Sequence, residues 1–567
     1  MNNHFQDDGN FVTRFFNQAN QSPDKTALIL PNMEGQVCLS ETSISYGALL
    51  KLINHYQALW AKKGWRSGDR VIVVIKPSKE LYAISLSLLS MGMVPVFIDT
   101  GMGRNKVEMA VKDSGAKAII SMKALLKWYW LMPFLWPLKR YCIDGRGLGY
   151  QNVTKELSVI ETSQPLICDP QSETSHGLIS FTSGSTGRPK GADRTHYSLI
   201  QQHLAIRDHW PDEQTDIDCP CFPVMVLHNL SCGMTTVVPK VDLAEPAGVN
   251  AEQVIKQLRK EGVTRLSGAP AYLSALVKYL AKQDKPDDTV STITSLVVGG
   301  ATVSKQLAKG LQRHFPNAHS RIVYGSTEAE PICDLNIDEY LAEASNGYLV
   351  GHVASQIDLL VSDLSGLKSE GDICEKDLFD RRCQSTQVGE IFVSGNHVLK
   401  QYVDNPAANR ENKIPRSGVA PTKAVWHRTG DTGYLDQKGR LWLSGRSKDV
   451  LNVNGRSIQP YPIERILDDH PLFKRCALVD HQSKIYLFLE MSDALQSTDD
   501  LFLNTKNTLH TLLVESGLQD LSVIEVDSIP TDKRHNSKVD RPQLQQWLIN
   551  KKTYNSTHLS LNFQGRS

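Results

Sequence analysis

The 567-residue sequence lacks an excess of charge of either sign. Lysine and arginine total 62 and aspartate and glutamate total 61, which gives a formal net charge of +1. Proteins that bind nucleic acid rely on clustered positive charge to neutralise phosphates. The composition therefore gives no electrostatic reason to expect a nucleic-acid partner.

The sequence also lacks a run of about 18 to 20 apolar residues, the length that a helix needs to span a bilayer. Its amino terminus, MNNHFQDDGNFVTRFF, has acidic residues where a secretory signal has positive charge, and no continuous apolar core follows them. We therefore expect a cytoplasmic protein.

The segment that comes nearest to a membrane element is ALLKWYWLMPFLWPLKR, residues 124–140. It is dense in tryptophan and tyrosine, ends in basic residues and contains two prolines that shorten any helix. One interpretation is peripheral contact with the headgroup region of a membrane. The other is an aromatic helix packed on the protein core or on a partner chain.

Paired cysteines at the spacing typical of zinc sites are absent from the sequence. The ten cysteines are scattered, and neither Cys219 with Cys221 nor Cys374 with Cys383 has a companion pair or histidines at zinc-ligand spacing. We therefore expect reduced and mostly buried thiols.

The chain is longer than a single hydrophobic core usually supports. From about residue 46 to residue 140, helical patterns alternate with apolar strands such as RVIVVI and PVFID, which is typical of a parallel sheet with crossover helices. The same alternation of helical patterns and apolar strands resumes in ITSLVVGG, SRIVYGSTE and GEIFVSG. A compact unit follows residues 445–455, with a helix predicted near 461–469, strands ALVD and KIYLFLEM, and a helix over about 499–517. These patterns predict an α/β fold.

The stretch SFTSGSTGRPKGADRTH, residues 180–196, places glycines, hydroxyl side chains and one lysine after a buried strand. A Walker-type loop needs glycine directly before the lysine and a hydroxyl directly after it, but Pro189 and Gly191 flank Lys190. A dinucleotide-binding G-x-G-x-x-G does not follow the strand either. A hydroxyl-rich loop that wraps a polyphosphate remains, with these candidate residues: Thr182, Ser183, Gly184, Ser185, Thr186, Gly187 and Lys190.

The stretch FTSGSTGRPKG resembles the signature loop of the adenylate-forming superfamily, which includes acyl-CoA synthetases, peptide-synthetase adenylation domains and luciferases. Further motifs follow in the order of that family and extend the resemblance over about residues 10–545. The resemblance implies that a carboxylic acid is joined to the α-phosphate of ATP with release of pyrophosphate. It also implies ATP and Mg²⁺ as cofactors, with CoA or the phosphopantetheine of an acyl carrier protein as candidate acceptors.

Two motifs resemble the adenine and phosphate sites of the family. LVVGGA is similar to the turn against which adenine lies, and VYGSTEAEP is similar to the next site along the chain. The resemblance implies that Tyr324 stacks on adenine, Thr327 binds the α-phosphate and Glu328 holds Mg²⁺. The other nucleotide-binding candidates in these motifs are Gly299, Gly300, Ala301, Gly325 and Ser326.

The stretch WHRTGDTGYLDQKGRLWLSGRSKDV resembles the end of the large domain of the family. It implies that Asp431 binds the ribose hydroxyls, that Arg446 contacts ribose or phosphate, and that Lys448 is the hinge of a small mobile domain. The predicted organisation is therefore a large N-terminal domain of sheets flanked by helices, a small α+β C-terminal domain and a polar tail, at residues 1–447, 448–550 and 551–567.

Near the carboxyl end, IPTDKRHNSKVDRPQL resembles the segment that carries the essential lysine of the family. Lys538 is the matching residue, and the resemblance implies that it bridges the substrate carboxylate and the α-phosphate. The sequence departs from the common pattern because Asn536 and Ser537 replace the usual Ser-Gly pair before the lysine.

Residues 221–242, CFPVMVLHNLSCGMTTVVPKVD, lie where the family builds its acyl pocket. The stretch is apolar and has no acid that would hold an amino group, which favours a fatty or other apolar acid over an amino acid. His228 has two interpretations, a residue of the acyl entrance or a hydrogen-bonded structural histidine. The pocket candidates are Val226, His228, Gly233 and, from the stretch RLSGAPAYL, Gly268.

Within the superfamily, FIDTGMG, FPVMVLHNLSCGMTTVVP and RHNSKVDR resemble a fatty acid-CoA ligase-like branch. That branch includes the β-lactone synthetases of bacterial olefin biosynthesis, in which the hydroxyl of an activated β-hydroxy acid closes the ring without CoA. We place transfer of the acyl group to a thiol first and lactone closure second. The third hypothesis is an inactive scaffold that binds lipid or nucleotide.

Overall fold

The computed structural model describes residues 8–160, 165–182, 188–241, 248–283, 290–343, 347–365, 373–420, 424–453, 456–470, 473–482, 484–492, 521–531 and 539–550. Within these ranges the strands are β1 Thr26–Glu34, β2 Val37–Ser45, β3 Arg70–Val74, β4 Val94–Ile98, β5 Ala118–Ser121, β6 Lys139–Cys142, β7 Gln151–Asn152, β8 His176–Thr182, β9 Lys190–Thr195, β10 Ile217–Pro220, β11 Thr235–Val237, β12 Arg265–Gly268, β13 Ser295–Gly299, β14 His319–Ser326, β15 Ala329–Asn336, β16 Tyr348–Val353, β17 Ile357–Ser362, β18 Gly389–Gly395, β19 Lys413–Pro415, β20 Val425–Leu435, β21 Arg440–Arg446, β22 Leu451–Val453, β23 Arg456–Ile458, β24 Phe473–His481, β25 Lys484–Met491 and β26 Leu521–Val526.

The α-helices of the same ranges are α1 Thr13–Gln21, α2 Tyr46–Lys62, α3 Lys79–Ser90, α4 Arg104–Asp113, α5 Lys123–Leu126, α6 Val153–Leu157, α7 His196–His209, α8 Pro223–Cys232, α9 Ala251–Lys260, α10 Pro270–Ala281, α11 Lys305–His314, α12 Ile337–Ala342, α13 Glu375–Asp380, α14 Pro406–Asn412, α15 Pro460–Asp468 and α16 Arg541–Ile549. The mixture of sheets and helices confirms the predicted α/β class.

The first sheet has seven strands in the order β7-β6-β5-β3-β4-β8-β9. All neighbours are parallel except β8 and β9, which form an antiparallel hairpin. Strand β3 is apolar on both faces: Val71 and Val73 pack in one core with α2 and α3, and Ile72 packs in another with α4. The apolar run VIVV that follows Arg70 is therefore explained by burial on both sides of a parallel strand.

The second sheet follows the order β17-β18-β20-β21-β16-β15-β14-β13-β12-β10-β11-β1-β2, with β19 paired to β20. Strands β10 to β14 pair in parallel, whereas every pair from β14 to β21 along this path is antiparallel. Helices α9, α10 and α11 cover the parallel part and enclose a second core. The pairing changes at the β14 and β15 hairpin, which carries the YGSTE motif.

The carboxyl-terminal part is a smaller unit. Strands β24, β25 and β26 form a three-stranded sheet, β22 and β23 form a hairpin, and α15 and α16 pack beside β24. Arg541 of α16 donates two hydrogen bonds to the Glu464 carboxylate of α15, at 2.6 and 2.7 Å, and so joins the two helices. The predicted smaller C-terminal domain is confirmed, while the predicted helix over about 499–517 and the tail 551–567 lie outside the described residues.

The aromatic segment 124–140 is not a single helix. After α5 it forms two short 3₁₀ turns, Tyr129–Leu131 and Pro133–Leu135, and it enters β6 at Lys139. Leu126 and Leu135 are buried, but the tryptophan side chains project outward. Among the helices of the described residues, none is both long and apolar enough to cross a membrane.

Candidate active site

The glycine-rich loop is the tip of the β8 and β9 hairpin. Thr182 and Lys190 are cross-strand partners, so the loop leaves and returns at one point of the first sheet. Arg188, on the returning side, donates hydrogen bonds of 2.9 and 3.0 Å to the Asp113 carboxylate of α4. The predicted loop residues that lie outside the described ranges are Ser183, Gly184, Ser185, Thr186 and Gly187.

Glu328 lies in the two-residue turn that joins β14 to β15. Its Oε1 accepts a hydrogen bond of 2.7 Å from the Tyr402 hydroxyl, and its backbone carbonyl accepts one of 2.8 Å from the Leu399 amide. Burial would raise the pKa of Glu328, but His427, Lys413 and the Tyr402 hydroxyl together outweigh burial and lower that pKa to about 2. The carboxylate is therefore ionised, as a hard-cation ligand must be.

Two buried lysines lie against Tyr402. The Lys190 Nζ is 5.3 Å and the Lys413 Nζ 5.2 Å from the centroid of the Tyr402 ring. Lys190 also lies 3.8 Å from the Glu411 carboxylate. Both lysines lie against Tyr402, which bonds to Glu328, and Lys190 is on the hairpin that carries the loop. This region therefore offers positive charge for a polyphosphate.

The sequence analysis missed Tyr402 and Lys413. Lys413 is the cross-strand partner of His427, and burial lowers the pKa of Lys413 to about 7 although the Glu328 charge acts in the opposite direction. His427 could have been predicted as a site residue, because it immediately precedes the RTGD motif. Lys413 could not have been predicted, because only the pairing of β19 with β20 brings the short KIP strand to the site.

The predicted ribose ligand Asp431 is held by two other predicted site residues. Tyr324 donates a hydrogen bond of 2.6 Å from its hydroxyl to Oδ2, and the Arg446 Nε lies 2.9 Å from Oδ1. Asp431 and Arg446 are also cross-strand partners in β20 and β21. Burial and the Asp431 charge raise the pKa of Tyr324, so its hydroxyl keeps the proton that it donates. Each carboxylate oxygen retains acceptor capacity for a ribose hydroxyl.

The predicted adenine turn follows β13. A methyl group on Gly299 would lie 2.7 Å from the Val323 carbonyl oxygen, so β13 and β14 approach too closely for any side chain. Gly300 has φ +86°, in the left-handed region that favours glycine, and Phe222 approaches the place where its side chain would be, at 3.7 Å. Ala301 follows this turn. The backbone therefore presents a surface without side chains, as an adenine ring requires.

The remaining residues of the YGSTE motif are fixed by hydrogen bonds and close packing. The Thr327 carbonyl accepts a hydrogen bond of 2.9 Å from Arg194, and the Ser326 hydroxyl accepts one of 3.2 Å from the Glu328 amide. A methyl group on Gly325 would lie 3.0 Å from the Ala329 carbonyl. The hairpin thus holds Tyr324 and Glu328 at fixed positions four residues apart.

The predicted acyl-pocket residues lie on α8 or next to it and at the end of β12. Val226 packs in the hydrophobic core, and Gly233 ends α8 with φ +79°. A methyl group on Gly268 would lie 2.5 Å from the Tyr272 ring. His228 is buried and has a side-chain partner at each ring nitrogen, His203 and Cys232, which is the arrangement expected of a hydrogen-bonded structural histidine.

The carboxyl-terminal candidates are placed only in part. Lys448 lies in the 3₁₀ turn Ser447–Asp449, between β21 and β22. Lys538 lies outside the described residues, although Thr531 and Val539 on either side of it form an isolated β-bridge. The start of α15 adjoins the ribose site, where the Thr432 hydroxyl donates a hydrogen bond of 2.9 Å to Gln459.

The site combines a glycine-lined turn, a carboxylate held by two side chains, and an ionised glutamate next to buried lysines. These features suit a nucleoside triphosphate, and together with the fold they define an adenylate-forming enzyme. Comparison with known proteins gives the same result. Residues 15–403 match the family model described as AMP-binding enzyme, and the chain belongs to that family. The family match and acyl-CoA ligase relatives identify it as an AMP-forming ligase.

Two relatives and one solved structure illustrate the range of the family. An olefin β-lactone synthetase of Stenotrophomonas maltophilia is 27% identical over 562 residues, which cover 95% of this chain and 98% of the synthetase. A mitochondrial medium-chain acyl-CoA ligase of Rattus norvegicus is 23% identical over 493 residues, with 80% and 75% covered. The structure of ATP-bound MatB from Rhodopseudomonas palustris shares the fold with a TM-score of 0.75 at 18% identity, over 96% of this chain and all of that chain.

Proposed function

We propose that the protein activates an apolar, fatty-type carboxylic acid as its acyl-AMP and that the 3-hydroxyl of the same acid then closes a β-lactone. The contacts of Tyr324 and Arg446 with Asp431, with Tyr324 in a hairpin whose turn carries Glu328, are the observation that supports the first half. The match over nearly the whole length of a β-lactone synthetase supports the second half. Transfer to CoA or to an acyl carrier protein is the second candidate, and the acyl-CoA ligase relatives favour it.

In the first half-reaction, a carboxylate oxygen attacks the α-phosphorus of ATP in line, and the bond from that phosphorus to the pyrophosphate oxygen breaks. Asp431 positions the ribose, and Lys190 with the glycine-rich loop binds the pyrophosphate end. Glu328 would hold Mg²⁺, which supplies positive charge to the phosphates when bound. Lys538 is predicted to approach the carboxylate and the α-phosphate.

In the second half-reaction, the 3-hydroxyl oxygen attacks the acyl carbon. The new carbon–oxygen bond closes a four-membered ring, the bond from the acyl carbon to the phosphate oxygen breaks, and AMP leaves with that electron pair. The hydroxyl proton passes to solvent. The same adenylate would react with a thiol sulfur in the second candidate function, so the two proposals differ only in the nucleophile.

One set of incubations tests both halves. The protein is mixed with ATP, Mg²⁺ and pooled fatty and 3-hydroxy fatty acids, with and without CoA, and pyrophosphate and organic products are measured. We expect pyrophosphate release with both acid classes, and a β-lactone from 3-hydroxy acids whether or not CoA is present. NMR distinguishes the lactone from an unsaturated acid of the same mass.

The alternative results are distinct. Acyl-CoA that forms only when CoA is added would establish the thiol-transfer function instead. A complete absence of acid-dependent pyrophosphate release across the pool would refute adenylation and support an inactive binding protein. Lys538→Ala is the control, because we expect it to bind ATP but to lose most of its adenylation.

We also propose that the protein contacts the surface of an anionic membrane on its cytoplasmic side. Trp128, Trp130 and Trp136 are 47%, 57% and 56% exposed, and Leu131 is 44% exposed. We call these four residues of one short segment the tryptophan patch. Lys127 lies 5.3 Å from the Trp128 ring, and the exposed Lys139 follows in the chain. Exposed indole rings next to basic side chains suit the headgroup region of a bilayer.

Vesicle sedimentation tests the tryptophan patch. We expect binding to vesicles that contain phosphatidylglycerol, weaker binding to pure phosphatidylcholine, and at least about a tenfold loss with Trp130→Ser and Trp136→Ser together. Val159→Ser is the control, because Val159 is also exposed but lies outside the patch. Equal binding by the double variant and the unchanged protein would contradict the proposal.

A further inference from the structure

Helices α7 and α8 bring together three side chains that commonly bind metals. His228 and Cys232 are four residues apart on α8, so they share a face of that helix, and His203 of α7 lies opposite them. The three residues are only 3%, 3% and 6% exposed. One donor atom of each lies within 4.8 Å of the donor atoms of the other two.

Two of the separations, taken singly, are close to the spacing of ligand atoms in a tetrahedral site. The Nδ1 atoms of His203 and His228 are 3.1 Å apart, and the Cys232 Sγ is 3.6 Å from the His228 Nε2. With zinc bonds of about 2.0 Å to nitrogen and 2.3 Å to sulfur, ligand atoms lie about 3.3 to 3.6 Å apart. Because one ion uses one nitrogen of His228, and the two contacts involve opposite nitrogens of that ring, binding exchanges one contact for coordination and draws together donor atoms that now lie within 4.8 Å of one another.

The two imidazoles are ready to bind a metal, whereas the thiol must first lose its proton. Burial lowers the pKa of His203 to about 3 and lowers that of His228 as well, so both rings are neutral near pH 7 and keep a lone pair for a metal. Burial raises the pKa of the Cys232 thiol, and the neighbouring Asp212 charge raises it further. The thiol is therefore protonated before a metal binds.

A surface cavity lies on the other side of Asp212, a neighbour of Cys232. The Arg207 Nε donates a hydrogen bond of 3.0 Å to the buried Asp212 carboxylate, whose charge acts on Cys232. Both residues line a surface cavity of about 210 Å³ together with Leu204, Asp208 and Pro211. An ion that enters through this cavity meets Asp212 first, and that carboxylate or a water molecule can supply the fourth ligand.

We propose that His203, His228 and Cys232 form a buried binding site for a Zn²⁺-class metal ion that fastens α7 to α8. Two imidazoles and one thiolate suit zinc and cobalt and do not suit magnesium. Binding forms a metal–sulfur bond and releases the thiol proton to solvent, one proton for each ion. Phe222, which precedes α8, lies beside the Gly300 turn, so a metal on α8 would steady one wall of the predicted acyl pocket.

Cobalt binding to the full-length protein, after treatment with a chelator, tests the site. We expect one Co²⁺ per chain, a near-ultraviolet thiolate-to-cobalt absorption band, one proton released per ion, and displacement by Zn²⁺. Cys232→Ser should abolish the thiolate band and weaken binding at least about tenfold. Cys219→Ser should leave both unchanged, because Cys219 is equally buried but lies on β10 outside the cluster.

Circular dichroism and thermal unfolding first establish that each variant is folded. If the chelator-treated protein binds neither Co²⁺ nor Zn²⁺ more tightly than folded Cys232→Ser does, the proposal is wrong. A thiolate band that survives in Cys232→Ser would also overturn it. His228→Gln gives a second test, since it should reduce affinity while the thiol remains in place.

Discussion

The Lys413 side chain is a buried amine next to the ionised Glu328. Burial lowers the pKa of Lys413 to about 7 from an ordinary value of 10.5. The unfolded chain therefore binds more protons than the folded chain between about pH 7 and pH 10.5. The free energy of unfolding therefore rises with pH across this range. The gain is complete above about pH 10.5 and is lost as the pH falls through about 7.

Replacement of Lys413 by methionine should remove this dependence. We expect the free energy of unfolding of the unchanged protein to rise relative to Lys413→Met by about 1.4 kcal/mol per pH unit between pH 7.5 and pH 9.5. Urea unfolding at a series of pH values measures the difference. Lys309→Met, which removes an exposed lysine, is the control and should track the unchanged protein; a constant difference between Lys413→Met and the unchanged protein would contradict the expectation.

Asp431→Asn should weaken ATP binding. The amide has one acceptor oxygen instead of two. Its NH₂ group would face either the Arg446 guanidinium, which can only donate, or the Tyr324 hydroxyl, which would then have to accept instead of donate. A lost charged hydrogen bond of about 1.5 to 3 kcal/mol corresponds to roughly a 10-fold to 150-fold higher KM for ATP. Acid-dependent pyrophosphate exchange at varied ATP measures the change.

Asp436→Asn is the matched control for this prediction. Asp436 lies at the end of the β20 and β21 hairpin and pairs with Arg440, with 2.8 Å between their side chains. We expect its replacement to lower stability without a comparable change in the KM for ATP. Similar changes in that KM for both variants would show that Asp431 acts only through the fold.

At the scale of single residues, sequence motifs predicted some residues of the site, whereas others reach it only through the pairing of distant strands. Tyr324, Asp431 and Arg446 come from separate motifs, and the structure brings them into direct contact. Tyr402 and Lys413 could not be predicted in the same way. Their closeness to Glu328 depends on the path of the chain from β18 to β19, which leaves no local spacing pattern.

The β13 and β14 strands approach each other closely at the adenine turn. Gly299→Ala would place a methyl group 2.7 Å from the Val323 carbonyl oxygen, so one strand must shift. We expect a loss of about 1 to 3 kcal/mol in stability and a higher KM for ATP, because the turn and Tyr324 move with these strands. Urea unfolding and pyrophosphate exchange measure the two effects.

Gly248→Ala is the control for the strand shift. A methyl group there would meet only the end of the flexible Gln36 side chain, at 3.1 Å. It should change neither stability nor the KM for ATP appreciably. An unchanged KM in Gly299→Ala would show that the adenine turn tolerates movement of β13.

At the scale of secondary structure, periodicity predicted the parallel strands because strands such as β3 are buried on both faces. The antiparallel order from β14 to β17 was not predictable, since it depends on pairings between distant segments. The 124–140 segment is a second case in which the sequence pattern did not predict the secondary structure. Pro133 and Pro137 interrupt it, and short 3₁₀ turns replace a continuous helix.

At the scale of the whole molecule, α15 joins the small unit to the large one. The Tyr348 hydroxyl donates a hydrogen bond of 2.6 Å to Asp468, and the Lys305 amide donates one of 2.9 Å to Asp469. Burial raises the pKa of Asp468 to about 6. The sequence predicted two domains from a change of pattern, but these contacts depend on how the domains dock, which no local pattern records.

The predicted hinge lies between these two parts, and a proline there tests whether the enzyme must rearrange. Lys448 is the central residue of a 3₁₀ turn, and proline fixes φ near −65°, a value that this kind of turn accepts. Proline also restricts the preceding Ser447, so circular dichroism first establishes that Lys448→Pro is folded. We then expect it to hold the two domains in one arrangement. Overall turnover should fall at least about tenfold, because domain rearrangements of this kind commonly gate successive steps.

The two half-reactions separate a hinge effect from a general loss. Pyrophosphate exchange reports adenylation, and conversion of supplied acyl-AMP reports the second step. Because one domain arrangement can serve only one of two steps that need different arrangements, we expect Lys448→Pro to impair one half-reaction far more than the other. Lys448→Ala, which keeps backbone freedom, should retain both. Equal losses in the two steps would argue that residue 448 supports the fold and that no rotation occurs there.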